Sequence, residues 1–122
     1  MSPKFALPLA LALALAFSAG AALAHPHVES STPAKDAQIS GSPKTVRIKF
    51  NEAPSGAFST IALKDASGKA VKVGKTAVDK ADKTVLTAAV AQTLAPGVYT
   101  VDWKASGSDT HKATGTFSFT VK

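Results

Sequence analysis

Three short stretches of this 122-residue chain change polarity at every step. Val46-Arg47-Ile48-Lys49-Phe50 puts Val, Ile and Phe on one side and two cations on the other. Tyr99-Thr100-Val101-Asp102-Trp103 does the same, and Phe117, Phe119 and Val121 share one side of the last such run. Successive side chains of a strand point to opposite faces, so a period of two describes a sheet with one dry face and one wet face. Further strands are predicted over Ser59–Lys64, Lys69–Val73, Thr84–Val90 and Val28–Ser31. Pro33, Gly41-Ser42-Pro43, Pro54-Ser55-Gly56, Ser67-Gly68, Gly74 and Pro96-Gly97 punctuate them as turns. About seven short strands at this spacing predict an all-β fold, an antiparallel sandwich or a small Greek-key β-barrel. The Ala/Lys/Asp-rich stretch from Lys75 to Lys83 reads as an exposed loop, and Trp103 reads as core.

The amino end follows other rules. Lys4 precedes an apolar run, Phe5 to Phe17, and then the small-residue stretch Ser18 to Ala24. This is the pattern of a secretory signal peptide that is removed. The run is shorter than the ~20 apolar residues that a spanning helix needs, and Pro8 interrupts it. Ala22-Leu23-Ala24 and Ala19-Gly20-Ala21 both match a small-x-small cleavage signal. The first is preferred, because it leaves His25 as the first residue. Residues 1–24 are then the leader and 25–122 one β-domain of 98 residues. Lys4 leaves with the leader, which lowers the formal charge from +6 to +5. The cations are scattered lysines and Arg47 is the only arginine, which argues against nucleic-acid recognition. There is no cysteine, so disulfides and thiolate metal sites are excluded. The only methionine is Met1, so a mature chain has no soft sulfur ligand for Cu(I).

Any metal site must therefore be built from nitrogen and oxygen. An amino-terminal His25 offers an α-amine and an imidazole that close a chelate ring on one ion. Both shed protons readily near neutral pH. Tetragonal nitrogen and oxygen coordination suits Cu(II). Pro26 has no N–H, so chelation through deprotonated backbone amides ending at His27 is blocked. His27 is then read as a surface histidine near the site. In Ser108-Asp109-Thr110-His111, residues two apart point the same way if the segment is extended, so Asp109 and His111 can meet one ion. Glu52, in Phe50-Asn51-Glu52-Ala53-Pro54, is a further candidate, either as a ligand or as an acceptor orienting His25.

Over essentially the whole mature chain, the sequence resembles the CopC-type copper-resistance proteins of the periplasm. The resemblance rests on His25-Pro26, Ser30-Ser31-Thr32-Pro33-Ala34, Phe50-Asn51-Glu52, Pro96-Gly97-Val98-Tyr99-Thr100-Val101-Asp102-Trp103, Ser108-Asp109-Thr110-His111, Gly115 and Phe119-Thr120-Val121. It implies an immunoglobulin-like β-barrel. It also implies one Cu(II) held by the amine and ring of His25 and by Asp109 and His111, with Glu52 the least secure ligand. A CopD-type inner-membrane protein is the partner it suggests. The chain departs from the family in having no methionine or histidine between Phe50 and Thr100, where some members carry a Cu(I) site. It also has Lys112 where many members have proline.

The resulting expectation is a periplasmic Cu(II) carrier or buffer without catalysis. Two alternatives stand beside it. One is a copper-dependent oxidative enzyme built on an amino-terminal His chelate. The other is a metal-free extracytoplasmic β-module.

Overall fold

The computed structural model describes residues 26–107 and 111–122, and these contain strands but no helix. Nine strands form two sheets. They are β1 (Val28–Thr32), β2 (Gln38–Ile39), β3 (Thr45–Phe50), β4 (Thr60–Lys64), β5 (Ala70–Val71), β6 (Ala77–Val78), β7 (Val85–Ala89), β8 (Gly97–Ser106) and β9 (Lys112–Val121). One sheet has the order β1-β3-β7-β6 and the other β2-β9-β8-β4-β5. Among the described residues no helix is long and apolar enough to cross a membrane.

The alternation sets the faces. Val46, Ile48 and Phe50 of β3 are fully buried, while Arg47 is exposed and Lys49 half-buried on the other face. Tyr99, Val101, Trp103 and Ala105 of β8 meet them from the second sheet, with Phe117, Phe119 and Val121 of β9 alongside. Each large apolar side chain removed from water in this way contributes about 1.5–3 kcal/mol. The Phe50 and Trp103 rings meet edge to face across the sheets, with centroids 5.2 Å apart. Tyr99 stacks on Phe119 and donates its hydroxyl to the Ala95 carbonyl at 2.7 Å. This is the tyrosine corner found in immunoglobulin-like sandwiches.

The long β8–β9 hairpin requires one glycine. A Cβ on Gly115 would lie 2.4 Å from Cζ2 of Trp103, so the indole lies where any side chain would be. On the wet face of the four-stranded sheet, Arg47 pairs with Asp79 at 3.1 Å and Lys49 with Asp82 at 2.9 Å. Exposed pairs of this kind add little stability, roughly 0–1 kcal/mol each.

The sandwich expectation holds, with four corrections. The sheets do not close into a barrel, and the described residues form nine strands rather than about seven. The two extra ones, β2 and β6, are two residues long, too short to show any period. β6 lies inside the stretch 75–83 that reads as a loop, and it pairs with Thr87 and Leu86 of β7. The fold is also not wholly antiparallel, because β2 runs parallel to the end of β9. Trp103 is core, as its alternation implies.

Candidate metal centre

One end of the sandwich gathers the start of β1, the end of β3, the start of β4, the end of β8 and the start of β9. The register shows this directly. Val28 faces Phe50, Thr60 faces Lys104, and Ser106 faces Lys112. The chain enters the fold at this end. Pro26 is among the most completely buried side chains of the molecule, which fixes the chain where it enters the sandwich.

The next residue is clamped as well. The His27 amide donates to Oδ1 of Asn51 at 2.6 Å, and the Asn51 amide donates back to the His27 carbonyl at 3.0 Å. Asn51 is the first residue after β3, so this reciprocal pair extends the β1–β3 ladder by one side-chain rung. Glu52 follows at once and is half-buried. The segment 51–59 then crosses to the other sheet and is pinned there. The Ser55 amide donates to the Ser106 carbonyl at 2.8 Å, and the Ser106 amide donates to Oγ of Ser59 at 3.0 Å. Ser59 and Ser106 are both buried, so leaving either unpaired would cost about 1–3 kcal/mol.

His111 lies at the same end. It is exposed, it precedes β9 directly, and its carbonyl accepts the Gly107 amide at 2.8 Å, which closes the base of the β8–β9 connection. Of the four residues proposed from sequence as ligands, Glu52 and His111 therefore share one pole, together with His27. His25 and Asp109 lie outside the described residues. Each is two positions from a described histidine of this pole, His27 and His111 respectively. Among the described residues no group of three or more His, Cys, Asp or Glu is close enough to hold a metal. The described half offers imidazole and carboxylate donors and no sulfur, a set compatible with Cu(II).

Two features were not read from the sequence in these roles. Asn51 was read only as part of a motif, yet it fixes the chain beside His27. A lone amide side chain directly after a buried-ended strand is the signal that was available. Pro26 was read as a residue without an N–H and as part of a motif, yet its ring is a buried anchor.

Comparisons with known proteins show the family of this chain. The CopC domain matches residues 28–122. Protein YobA of Escherichia coli (strain K12) is 31% identical over 99 residues, covering 81% of this chain and 80% of its own. Copper resistance protein C of Pseudomonas syringae pv. tomato is 34% identical over 106 residues, covering 83% of each. Among solved structures, PcoC, a methionine-rich copper resistance protein from Escherichia coli, superimposes with a TM-score of 0.74. It is 34% identical and covers 81% of this chain and 100% of its own.

Proposed function

We propose that this chain, which belongs to the CopC family, is an exported copper-binding protein that holds one Cu(II) at the pole described above and catalyses nothing. In this reading residues 1–24 are removed and the domain works in the periplasm. The amine and ring of His25 chelate the ion, and Asp109 and His111 complete the set. Glu52 supplies either a further oxygen or an acceptor for the His25 ring. The ion is buffered there and handed to a membrane partner of CopD type.

The supporting observation is the path of the chain. The buried Pro26 ring and the His27–Asn51 pair fix the amino end beside His25, at the end of the sandwich where His111 and Glu52 lie. Two ligand-bearing segments far apart in sequence thus start from one pole. Two of the relatives supply the metal, since copper resistance protein C and PcoC are copper resistance proteins. The donor types supply the oxidation state, because nitrogen and oxygen without sulfur favour Cu(II) over Cu(I).

Electron paramagnetic resonance of the exported protein with one equivalent of Cu(II) tests the reading. A tetragonal spectrum with nitrogen hyperfine structure is expected, and it should lose one imidazole contribution in His111→Ala. A spectrum identical in parent and variant would overturn the assignment of His111.

A further inference from the structure

β9 pairs with β8 along its whole length, but β2 covers its outer edge only at Thr120 and Val121. Its neighbours fix which way each backbone group points. The His111 carbonyl accepts from Gly107 on the β8 side. On the outer side the Ser118 carbonyl accepts the Asp36 amide, and the Thr120 amide donates to the Ala37 carbonyl. Residues with odd numbers therefore bond to β8, and those with even numbers point outward. Lys112, Thr114 and Thr116 turn both their N–H and their C=O to this edge, where no described residue pairs with them. The edge borders an open groove of about 530 Å³ between β9 and β1, lined by Val28, Ser31, Trp103 and Phe117 among others.

The other edges are protected. β2, β5 and β6 are two residues long, too short to template a partner. β1 is irregular between Val28 and Ser30 and is flanked by Pro26 and Pro33, which have no N–H to offer. The open parts of β4 and β7 are covered. The Ile61 amide donates to Oγ1 of Thr76 at 2.9 Å, and the Gly74 amide donates to the Ala89 carbonyl at 2.8 Å. Among the described residues, 112–116 is thus the one regular, proline-free edge that nothing covers.

We propose that this edge pairs with the same edge of a second copy of the chain, antiparallel about a two-fold axis at Thr114, so that two five-stranded sheets become one. Length and register select this occupant. The edge starts at Lys112, where the chain leaves the β8–β9 connection, and the Asp36–Ser118 bond closes it at the other end. An incoming strand has room for about five residues, and the same free stretch of a second copy supplies them. With the axis at Thr114, Lys112 faces the partner's Thr116, and Thr114 faces its own counterpart. Threonine favours strands, and no cation faces a cation across the pair. An axis at Lys112 would oppose two lysines, and an axis at Thr116 would drive the incoming strand into the Asp36–Ser118 bond. On the groove side Ala113 and Gly115 oppose each other, and both are small. The pairing needs no copper, so it stands or falls apart from the copper reading.

The chain has no cysteine, so single introduced thiols report the pairing directly. Lys112, Thr114 and Thr116 are all exposed, and each is changed to cysteine in metal-free protein recovered from the periplasm of an expression host. Mild oxidation should link Thr114→Cys to itself, because directly opposed residues lie about 5.5 Å apart between Cα atoms, within disulfide reach. Lys112→Cys alone and Thr116→Cys alone should link about tenfold less, since each would lie roughly 13 Å from its own counterpart. Mixing those two variants should restore linkage, as the mixed dimer. Absence of linked Thr114→Cys, equal yields in the three single variants, or no mixed dimer would each overturn the proposal.

Discussion

The two ends of the sandwich are built from the same strands and are both held by long-range side-chain hydrogen bonds, yet they present different side chains. At the metal pole, side chains stitch the connections to strands far away in sequence. Asn51 grips His27, and Ser59 and Ser106 tie the 51–59 crossing to β8. At the opposite pole Oγ of Ser42 likewise accepts the amide of Leu94, 52 residues away, at 2.8 Å, beside a local β4–β5 turn in which Asp65 accepts the amides two and four residues ahead of it. A local turn reverses the chain but holds no distant partner in place. The ends therefore differ in their donors rather than in how they are held: His27, Glu52 and His111 lie at one, and the exposed Lys44, Lys69 and Lys72 at the other.

That contrast can be broken most directly at His111. Replacing it with alanine should weaken Cu(II) binding by about 100-fold or more, equivalent to about 2.7 kcal/mol. Lys72→Gln at the other pole should leave copper affinity unchanged. Competition titration against a chelator of known affinity separates the two outcomes.

Gly115 tests the core that keeps the poles in register. Gly115→Ala forces a methyl into the Trp103 indole and should destabilise the fold by about 1–3 kcal/mol in urea unfolding. Asn51→Ala should cost less, about 1 kcal/mol of stability. It should also weaken copper binding by about tenfold, because the amino end would lose its clamp. Equal copper affinity in Asn51→Ala and the parent would mean that the clamp serves the fold alone.

The smallest effect concerns acid. The Thr84 hydroxyl, and then the Lys49 ammonium, hold the Asp82 carboxyl well below its usual range. The Ser67 hydroxyl does the same for Asp65, and the Arg47 guanidinium for Asp79. A carboxylate depressed in the folded state stabilises it above the unfolded value, near ~3.9, and that contribution is lost as pH falls further. Melting temperature should therefore drop below about pH 4. In Asp82→Asn the gap between neutral and acid melts should narrow.

Much of the core was legible because its signal is repeated. Val46, Ile48 and Phe50 announce one face, and Tyr99, Val101 and Trp103 another, and both are buried as the alternation requires. β2 and β6 were not legible, since two residues have no period and are set by neighbours already in place. β8 and β9 each run to ten residues, beyond the alternating cores that announced them. The hairpin continues past those cores because its two strands satisfy each other's backbone. At the site, the histidines stood out because there are only three. The parts that hold the pole together were harder to see. Pro26 and Asn51 matter through burial and through one long-range pair, and neither leaves a local pattern.

In the proposed site the terminal nitrogen of residue 25 is a copper ligand. The most direct measurement compares Cu(II) affinity of protein beginning at His25 with protein carrying Ala22-Leu23-Ala24 ahead of it. One tightly held ion is expected for the first and a loss of about 100-fold or more for the second, in which the amine is tied up in a peptide bond. Equal affinity in the two forms would contradict it.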